Sequence, residues 1–462
     1  MQSAQPSPRQ RKTQAKSKAS EPAKTSEATA ELPVAVAAPL AEATATVAVP
    51  AEVRAEPEVR RPVAARADVP VAPVANQVGA ERPGLGPMPR NTEAVARALE
   101  VWRRHFTWRS LPMTAAILPT WLGFANLVRV AQAVDEKLYP EYRDQPIDRP
   151  VFMFANARSG TTMLHRLMAL DEERFATIKL YQTIFPTVSI EKLFGKAREV
   201  DSKYLGGTLQ AIPDFLSRTF FGGWKDVHPM GLDKPEEDEC LFVYPLHTPT
   251  LTLLLPFSEE LGEDFFLDRK PRAVRDAVMG YYESCLKRFM YANGPTKRLL
   301  NKNVFTGPRL MTLHERFPDA VFLYLVRHPY ESLGSYMDMW YRAWITHRPE
   351  IPKNSPEMKQ FVEMALSHYR YALSCRKLIP KEQMLVVRYE HLTADPGATV
   401  ERIYDYLGMD ISPEFRAKLE AATEAQKSYK SAHAYKLEDF GITREWLREQ
   451  LADVYEEFGY ET

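Results

Sequence analysis

The sequence predicts an α/β fold, a P-loop-like parallel sheet flanked by helices, with a disordered N-terminal tail ahead of it. Two observations carry the sheet and a third carries the tail. Short apolar runs at residues 151–154, 321–326 and 384–387 read as buried strands. Amphipathic stretches separate them, with helical patterns over residues 162–170 and from the second strand through Tyr336. Strands apolar on both faces and separated by helices belong to parallel sheets covered on both sides. The third observation is a change in composition: no Phe, Tyr or Trp precedes Trp102, although 11% of the whole chain is aromatic.

Residues 1–90 are rich in Ala, Pro, Val, Glu and Thr. Such a segment buries too little apolar area to offset chain entropy, so it is expected to be disordered. Arg9, Arg11, Lys12, Lys16 and Lys18 make its start basic, which fits a targeting or anion-binding tail; a solvated linker fits the composition better. Residues 91–148 are expected to form a helical extension, and residues 149–462 the main domain. Within the extension, residues 111–128 carry no charge but include Pro112, Pro119, Gly123 and Asn126. These lower the tendency to span a bilayer, so a buried or interface-lying helix is expected there, with peripheral membrane contact as one outcome.

Lys and Arg number 60, and Asp and Glu number 60. This balance gives no global reason to expect a nucleic-acid partner. Cys240, Cys285 and Cys375 lie far apart, without metal-ligand spacing, and read as free thiols of a reducing compartment. With no apolar secretory core at the N-terminus, the expected location is cytoplasmic.

The first strand runs into Asn156-Ala157-Arg158-Ser159-Gly160-Thr161-Thr162 and then a helix. A strand, a tight Gly/Ser turn and a helix N-terminus make an anion site, because free N–H groups and the helix dipole both favour negative charge. Gly160 allows close approach, Ser159, Thr161 and Thr162 add hydroxyls, and Arg158 adds a permanent cation. An ordinary capped helix would fit these seven residues too. The Walker pattern is absent: no Lys precedes Thr161, and the second strand ends on Arg327 where a nucleotide triphosphatase would often place a magnesium-binding Asp. A nucleotide whose transferred group needs no metal is therefore expected.

The second strand leads to Arg327-His328-Pro329-Tyr330-Glu331-Ser332-Leu333-Gly334-Ser335. An arginine fork and a serine hydroxyl suit a phosphate monoester. Together and in this order, the two segments resemble those of the sulfotransferase family. Three further stretches are similar to its large bacterial-type branch: Pro235-Glu236-Glu237-Asp238; Lys302 with Phe317-Pro318-Asp319-Ala320; and Arg388-Tyr389-Glu390 with Asp395-Pro396. The segment from Tyr435 to Gly441 is similar as well. The resemblance implies the sulfotransferase fold and the donor 3′-phosphoadenosine 5′-phosphosulfate. Arg158, Ser159, Gly160, Thr161 and Thr162 would cradle its 5′-phosphosulfate, and Arg327 and Ser335 would hold its 3′-phosphate. Arg158 and Lys302 would stabilise the leaving oxygen.

The base is left open at this stage. Cytosolic relatives carry Lys-x-His, whereas Lys302-Asn303-Val304 places a valine there, and Gln182 stands where other branches use glutamate. His228 and the cluster Glu236 to Glu239, with Glu237 foremost, remain as candidates. The same acidic run would also fit the opening turn of a helix behind Pro235. The acceptor is expected to be a small molecule or glycan offering a hydroxyl or amine. Trp340, Tyr341 and Trp344 could stack on it, though core packing is the commoner role of such rings. An ATP-dependent kinase and a non-catalytic adaptor on the same fold are the competing functions.

Overall fold

Five strands make one sheet: β1 Val151–Ala155, β2 Phe175–Thr177, β3 Arg298–Lys302, β4 Val321–Val326 and β5 Met384–Arg388, in the order β2-β3-β1-β4-β5. Every neighbouring pair is parallel, and Met153 lies opposite both Lys302 and Leu323. The structure is a computed structural model that describes residues 84–460 apart from 157, 207, 209–230 and 428–435. The tail expected over residues 1–90 is thus almost wholly outside the described residues, as are the candidate base His228 and Tyr435.

The three strands expected from apolar runs are β1, β4 and β5. Strand periodicity sorts their side chains onto two faces. Phe152, Phe154, Phe322 and Tyr324 point into the larger core, beneath the helices Arg272–Asn293 and Pro356–Arg376. Val151, Met153, Ala155, Leu323, Leu325 and Val387 point into a second core. There they meet α3 (Thr161–Met168) and the helix Pro396–Leu407. Both faces are covered, which is why β1 and β4 are buried at every position.

The run from β1 through α3 goes to β2 at one edge, while β4 leads to β5 at the other. The chain therefore diverges around β1, and the crevice at the carboxyl ends of the central strands is the natural ligand position of such a sheet. The loops after β1, β3 and β4 all open there.

Ahead of the sheet lie α1 (Thr92–Arg104) and α2 (Leu111–Leu138). Asn91 caps α1 by accepting from the Ala94 N–H at 3.2 Å. Packing begins a little before Arg90, since Met88 is buried and the Gly84 carbonyl oxygen lies only 2.8 Å from where a Cβ on Gly280 would sit. The second half of α2 buries Ala125, Val128, Ala131, Gln132 and Asp135. The Asp135 carboxylate accepts from the N–H groups of Val188 and Ser189, opening the helix Val188–Val200, and pairs with buried Arg288 at 3.1 Å. Of the two expectations for residues 111–128, a buried or an interface-lying helix, burial fails for the first half. From Leu111 to Phe124 the apolar side chains are largely exposed.

Trp340 and Trp344 are core residues. Both indole N–H groups donate to Thr252 at 2.8 Å, and both rings pack on Phe361.

Candidate active site

The loop after β1 is shaped by two left-handed residues. Gly160 caps α3 at φ +86°, and a Cβ there would lie 2.8 Å from the Tyr389 ring. Only glycine meets both demands. Arg158 is left-handed as well, at φ +67°. For a residue with a side chain this costs about 1–3 kcal/mol, a cost that persists only where the surroundings hold the turn. The Ser159 hydroxyl donates to the Asn156 carbonyl at 2.7 Å, and the Asn156 amide reaches the Tyr324 hydroxyl at 3.2 Å. The result is a tight turn directly ahead of the free N–H groups of α3.

The loop after β4 folds onto this turn. Arg158 Nε donates to Ser335 Oγ at 3.1 Å, and Arg327 Nη1 donates to the Arg158 carbonyl at 3.0 Å. Ser335 lies on the helix Pro329–Trp344, about two turns beyond Arg327, as the spacing requires. Arg327 also stacks over Tyr389, 4.2 Å from the ring centroid, and pairs with Glu331 at 2.9 Å. Tyr389 thus touches both halves of the anion site, Gly160 on one side and Arg327 on the other. Sequence reading quoted Tyr389 only as part of a resemblance and gave it no role. No residue pattern announces a ring that works by shape.

The third element is the end of β3. The Lys302 side chain is 0% exposed, and its ammonium lies 3.1 Å from Thr162 Oγ1, 3.1 Å from Glu236 Oε1 and 3.2 Å from Glu237 Oε1. It links the anion loop to the acidic cluster. The fully buried charge is compensated by the two carboxylates and the hydroxyl, which such burial requires.

Pro235 to Glu239 does not open a helix at Pro235. Pro235 pairs with Lys179 in an antiparallel bridge, and the Glu236 N–H donates to the Ile178 carbonyl at 3.0 Å. The following helix is Cys240–Val243. The acidic run is therefore a fixed turn laid across the end of β3. Asp238 accepts from Tyr282 at 2.5 Å, Asn301 at 2.6 Å and Asn303 at 2.6 Å. Glu239 accepts from Asn303 at 2.8 Å and Arg309 at 2.9 Å, and from Thr248. Burial raises the Glu239 carboxyl to about 7, with the Arg309 guanidinium and the Asn303 amide pulling the other way.

Of the four carboxylates, Glu236, Asp238 and Glu239 are buried, whereas the Glu237 side chain retains 18% exposure. Of the two carboxylates that touch Lys302, Glu237 is the one that remains partly exposed. Asn301, Asn303 and Arg309 escaped sequence reading as parts of the site. Asn303 was noted only as the residue between Lys302 and a valine.

The structure thus brings together Arg158, Ser159, Gly160, Thr161, Thr162, Lys302, Arg327, Ser335 and Glu237 at one end of the sheet. It offers nothing on His228. Cationic side chains and helix N–H groups converge on one point, with a carboxylate beside them. Such an arrangement suits a phosphorylated anion, with a carboxylate placed to accept a proton.

A family model described as sulfotransferase family matches residues 150–413. An omega-hydroxy-beta-dihydromenaquinone-9 sulfotransferase of Mycobacterium bovis is 25% identical over 375 residues, 78% of this chain and 85% of its own. Sulfotransferase 2A6 of Rattus norvegicus is 29% identical over 121 residues, 23% of this chain and 42% of its own. Among solved structures, sulfotransferase STF1 from Mycobacterium tuberculosis superposes with TM-score 0.62 at 21% identity, covering 79% of this chain and 92% of that one. STF9 from Mycobacterium avium gives 0.62 at 19% identity, covering 75% and 86%. At these identities the two structures speak to the fold alone.

Proposed function

The chain belongs to the sulfotransferase family, and from that premise we propose that it moves a sulfuryl group from 3′-phosphoadenosine 5′-phosphosulfate to a hydroxyl of a small apolar acceptor. The observation that carries this reading is the meeting of Arg158, Ser335 and Arg327 at the mouth of the α3 N-terminus. Donor phosphates fit a place where two guanidinium groups, serine and threonine hydroxyls and free helix N–H groups converge.

In this reading the N–H groups at the start of α3, with Ser159 to Thr162, bind the 5′-phosphosulfate end. Arg327 and Ser335 bind the 3′-phosphate. Arg158 and Lys302 stabilise the bridging oxygen as it gains charge. Lys302 suits this role because Thr162 Oγ1 holds its ammonium against the anion loop. Glu237 takes the acceptor proton, and Lys302 fixes the Glu237 carboxylate on the side where the acceptor arrives. Asn303 and Arg309 hold the acidic turn in place through Asp238 and Glu239. Attack by the acceptor oxygen forms the new S–O bond as the bond to the donor's bridging oxygen breaks, and adenosine 3′,5′-bisphosphate leaves.

The acceptor class draws on the Mycobacterium bovis relative, whose name specifies an omega-hydroxy menaquinone derivative. A hydroxyl on an apolar body is therefore proposed ahead of an amine or a glycan, in a cytoplasmic enzyme that works at a membrane surface. No divalent cation has a part in the step. Isothermal calorimetry tests the donor: adenosine 3′,5′-bisphosphate should bind far more tightly than ATP, with or without magnesium. Equal affinities, or binding that requires magnesium, would overturn the assignment.

A further inference from the structure

The first half of α2 is an apolar helix that the domain does not cover. Leu111, Ala115, Leu118 and Leu122 recur along one stripe, and Ile117 and Phe124 widen it; all are exposed. At the turn into α2, Trp108 is 79% exposed and packs edge-on with Phe106, which packs on Trp102. Between Glu100 and Asp135 there is no acidic residue, whereas Arg103, Arg104, Arg109 and Arg129 all fall in that interval. We infer that this face docks the protein in the plane of an anionic lipid bilayer, with the α2 stripe in the acyl boundary and the arginines among the headgroups.

Three physical points select a bilayer surface. Aromatic rings at the rim of an apolar face and arginines beside them form the side-chain set that settles at a membrane–water interface. Arg103 and Arg109 are exposed and complement anionic headgroups, while Arg104 between them is paired with Glu100 and Glu260. Thirdly, the helix cannot cross. On its N-terminal side α1 is held to the domain by the Arg97–Asp264 and His105–Glu260 contacts, and Arg348 binds the Thr107 hydroxyl. On its C-terminal side Asp135 is locked to Arg288 and the Val188–Val200 helix. Both ends sit on the same body, and the free stretch from residue 111 to 124 is only about 21 Å long, against a hydrocarbon core of about 30 Å.

The face also adjoins the proposed site. The Trp121 indole N–H donates to the carbonyl of Val243 at 3.3 Å, and Val243 ends the short helix that leaves the acidic turn. Docking on α2 would bring a membrane-dissolved acceptor close to Glu237. Lipid binding itself needs neither the donor nor turnover, so its failure is separable from failure of the reading above.

The test is sedimentation of the full chain with vesicles of phosphatidylcholine mixed with phosphatidylglycerol, and of phosphatidylcholine alone. The protein should partition onto the mixed vesicles and more weakly onto the neutral ones. Leu118→Glu or Leu122→Glu should each lower partitioning by about tenfold or more, since each removes a leucine from the acyl boundary and puts a charge in its place. Circular dichroism should be unchanged, both positions being exposed. Arg103→Glu with Arg109→Glu should weaken the preference for the anionic vesicles. The basic tail could also attract anionic lipid, but that attraction would survive the leucine substitutions. Three results overturn the proposal: no vesicle binding by the wild type, equal binding by the leucine variants, or a concentration-dependent dimer that those variants dissolve while vesicles remain unbound.

Discussion

The two sides of the proposed site, one for the donor and one for the acceptor, are built on opposite principles. On the donor side, at the ends of β1 and β4, half-buried cations surround a turn of backbone N–H groups, and one exposed carboxylate, Glu331, balances Arg327. On the acceptor side, at the end of β3, a fully buried lysine faces a turn with four consecutive acids, three of them buried and tied to Asn301, Asn303, Tyr282 and Arg309. A site that receives a charged nucleotide can stay open, because its ligand brings the compensating charge. A site that removes a proton needs a carboxylate held still beside a cation, and that takes a network. The difference implies that substitutions on the donor side act mainly on binding and on the leaving group, while those on the acceptor side act on proton transfer and on the stability of the turn.

The largest effect should come from the acceptor side. Glu237→Gln removes the proposed base while keeping size and shape, and turnover should fall by about 10²–10⁴-fold with donor affinity little changed. A fall below tenfold would move the base elsewhere and break the comparison at its main point.

The donor side should divide between its two arginines. Arg158→Ala should lower turnover by about 10²–10³-fold, because its charge matters most as the bridging oxygen becomes anionic. Arg327→Ala removes up to two charge-assisted hydrogen bonds, each about 1.5–3 kcal/mol, so donor affinity should fall by about two orders of magnitude or more. Turnover at saturating donor should fall much less, since that contact is present in ground and transition states alike. Steady-state kinetics of both variants checks this. The opposite pattern would exchange the roles of the two loops.

The smallest effect concerns stability. The Glu239 carboxyl is pushed up to about 7 from an ordinary value of 4.5, with burial the largest cause. The folded state therefore holds this proton more tightly than the unfolded chain does. Its contribution to stability is full below about pH 4.5 and is lost as the pH rises through 7. Over that window the wild type should lose on the order of 2–3 kcal/mol relative to Glu239→Gln. Thermal melts should show Tm falling more steeply with pH in the wild type than in the variant. Parallel slopes would mean that Arg309 keeps the carboxylate ionised throughout.

Legibility in the sequence followed the same division. The donor side rests on two short consecutive segments, Arg158 to Thr162 and Arg327 to Ser335, and strand–turn–helix chemistry makes such segments readable where they stand. Lys302 and Glu237 were candidates, but their contact joins residues far apart in the chain. The alternative reading of Pro235 as a helix start was locally sound. It gave way because the turn finds better partners in Ile178 and β3 than a helix would supply. Strand β2 escaped notice because three residues carry too little periodicity, and β3 because its buried end is Asn301 and Lys302, polar residues placed for the site.

By itself the sequence determined the parallel sheet, its three most apolar strands and the strand–turn–helix segments after two of them, because local periodicity and turn chemistry operate over a few neighbouring residues. Only the tertiary structure decided the rest. It chose which of four adjacent carboxylates stays accessible, since exposure depends on what Asn303, Arg309 and Tyr282 bury. It put Tyr389 between Gly160 and Arg327, since a ring's role there is set by shape. It also left the first half of α2 bare while burying the second, because an apolar stripe is written alike for a core and for a lipid surface, and only the surrounding domain determines which of the two it meets.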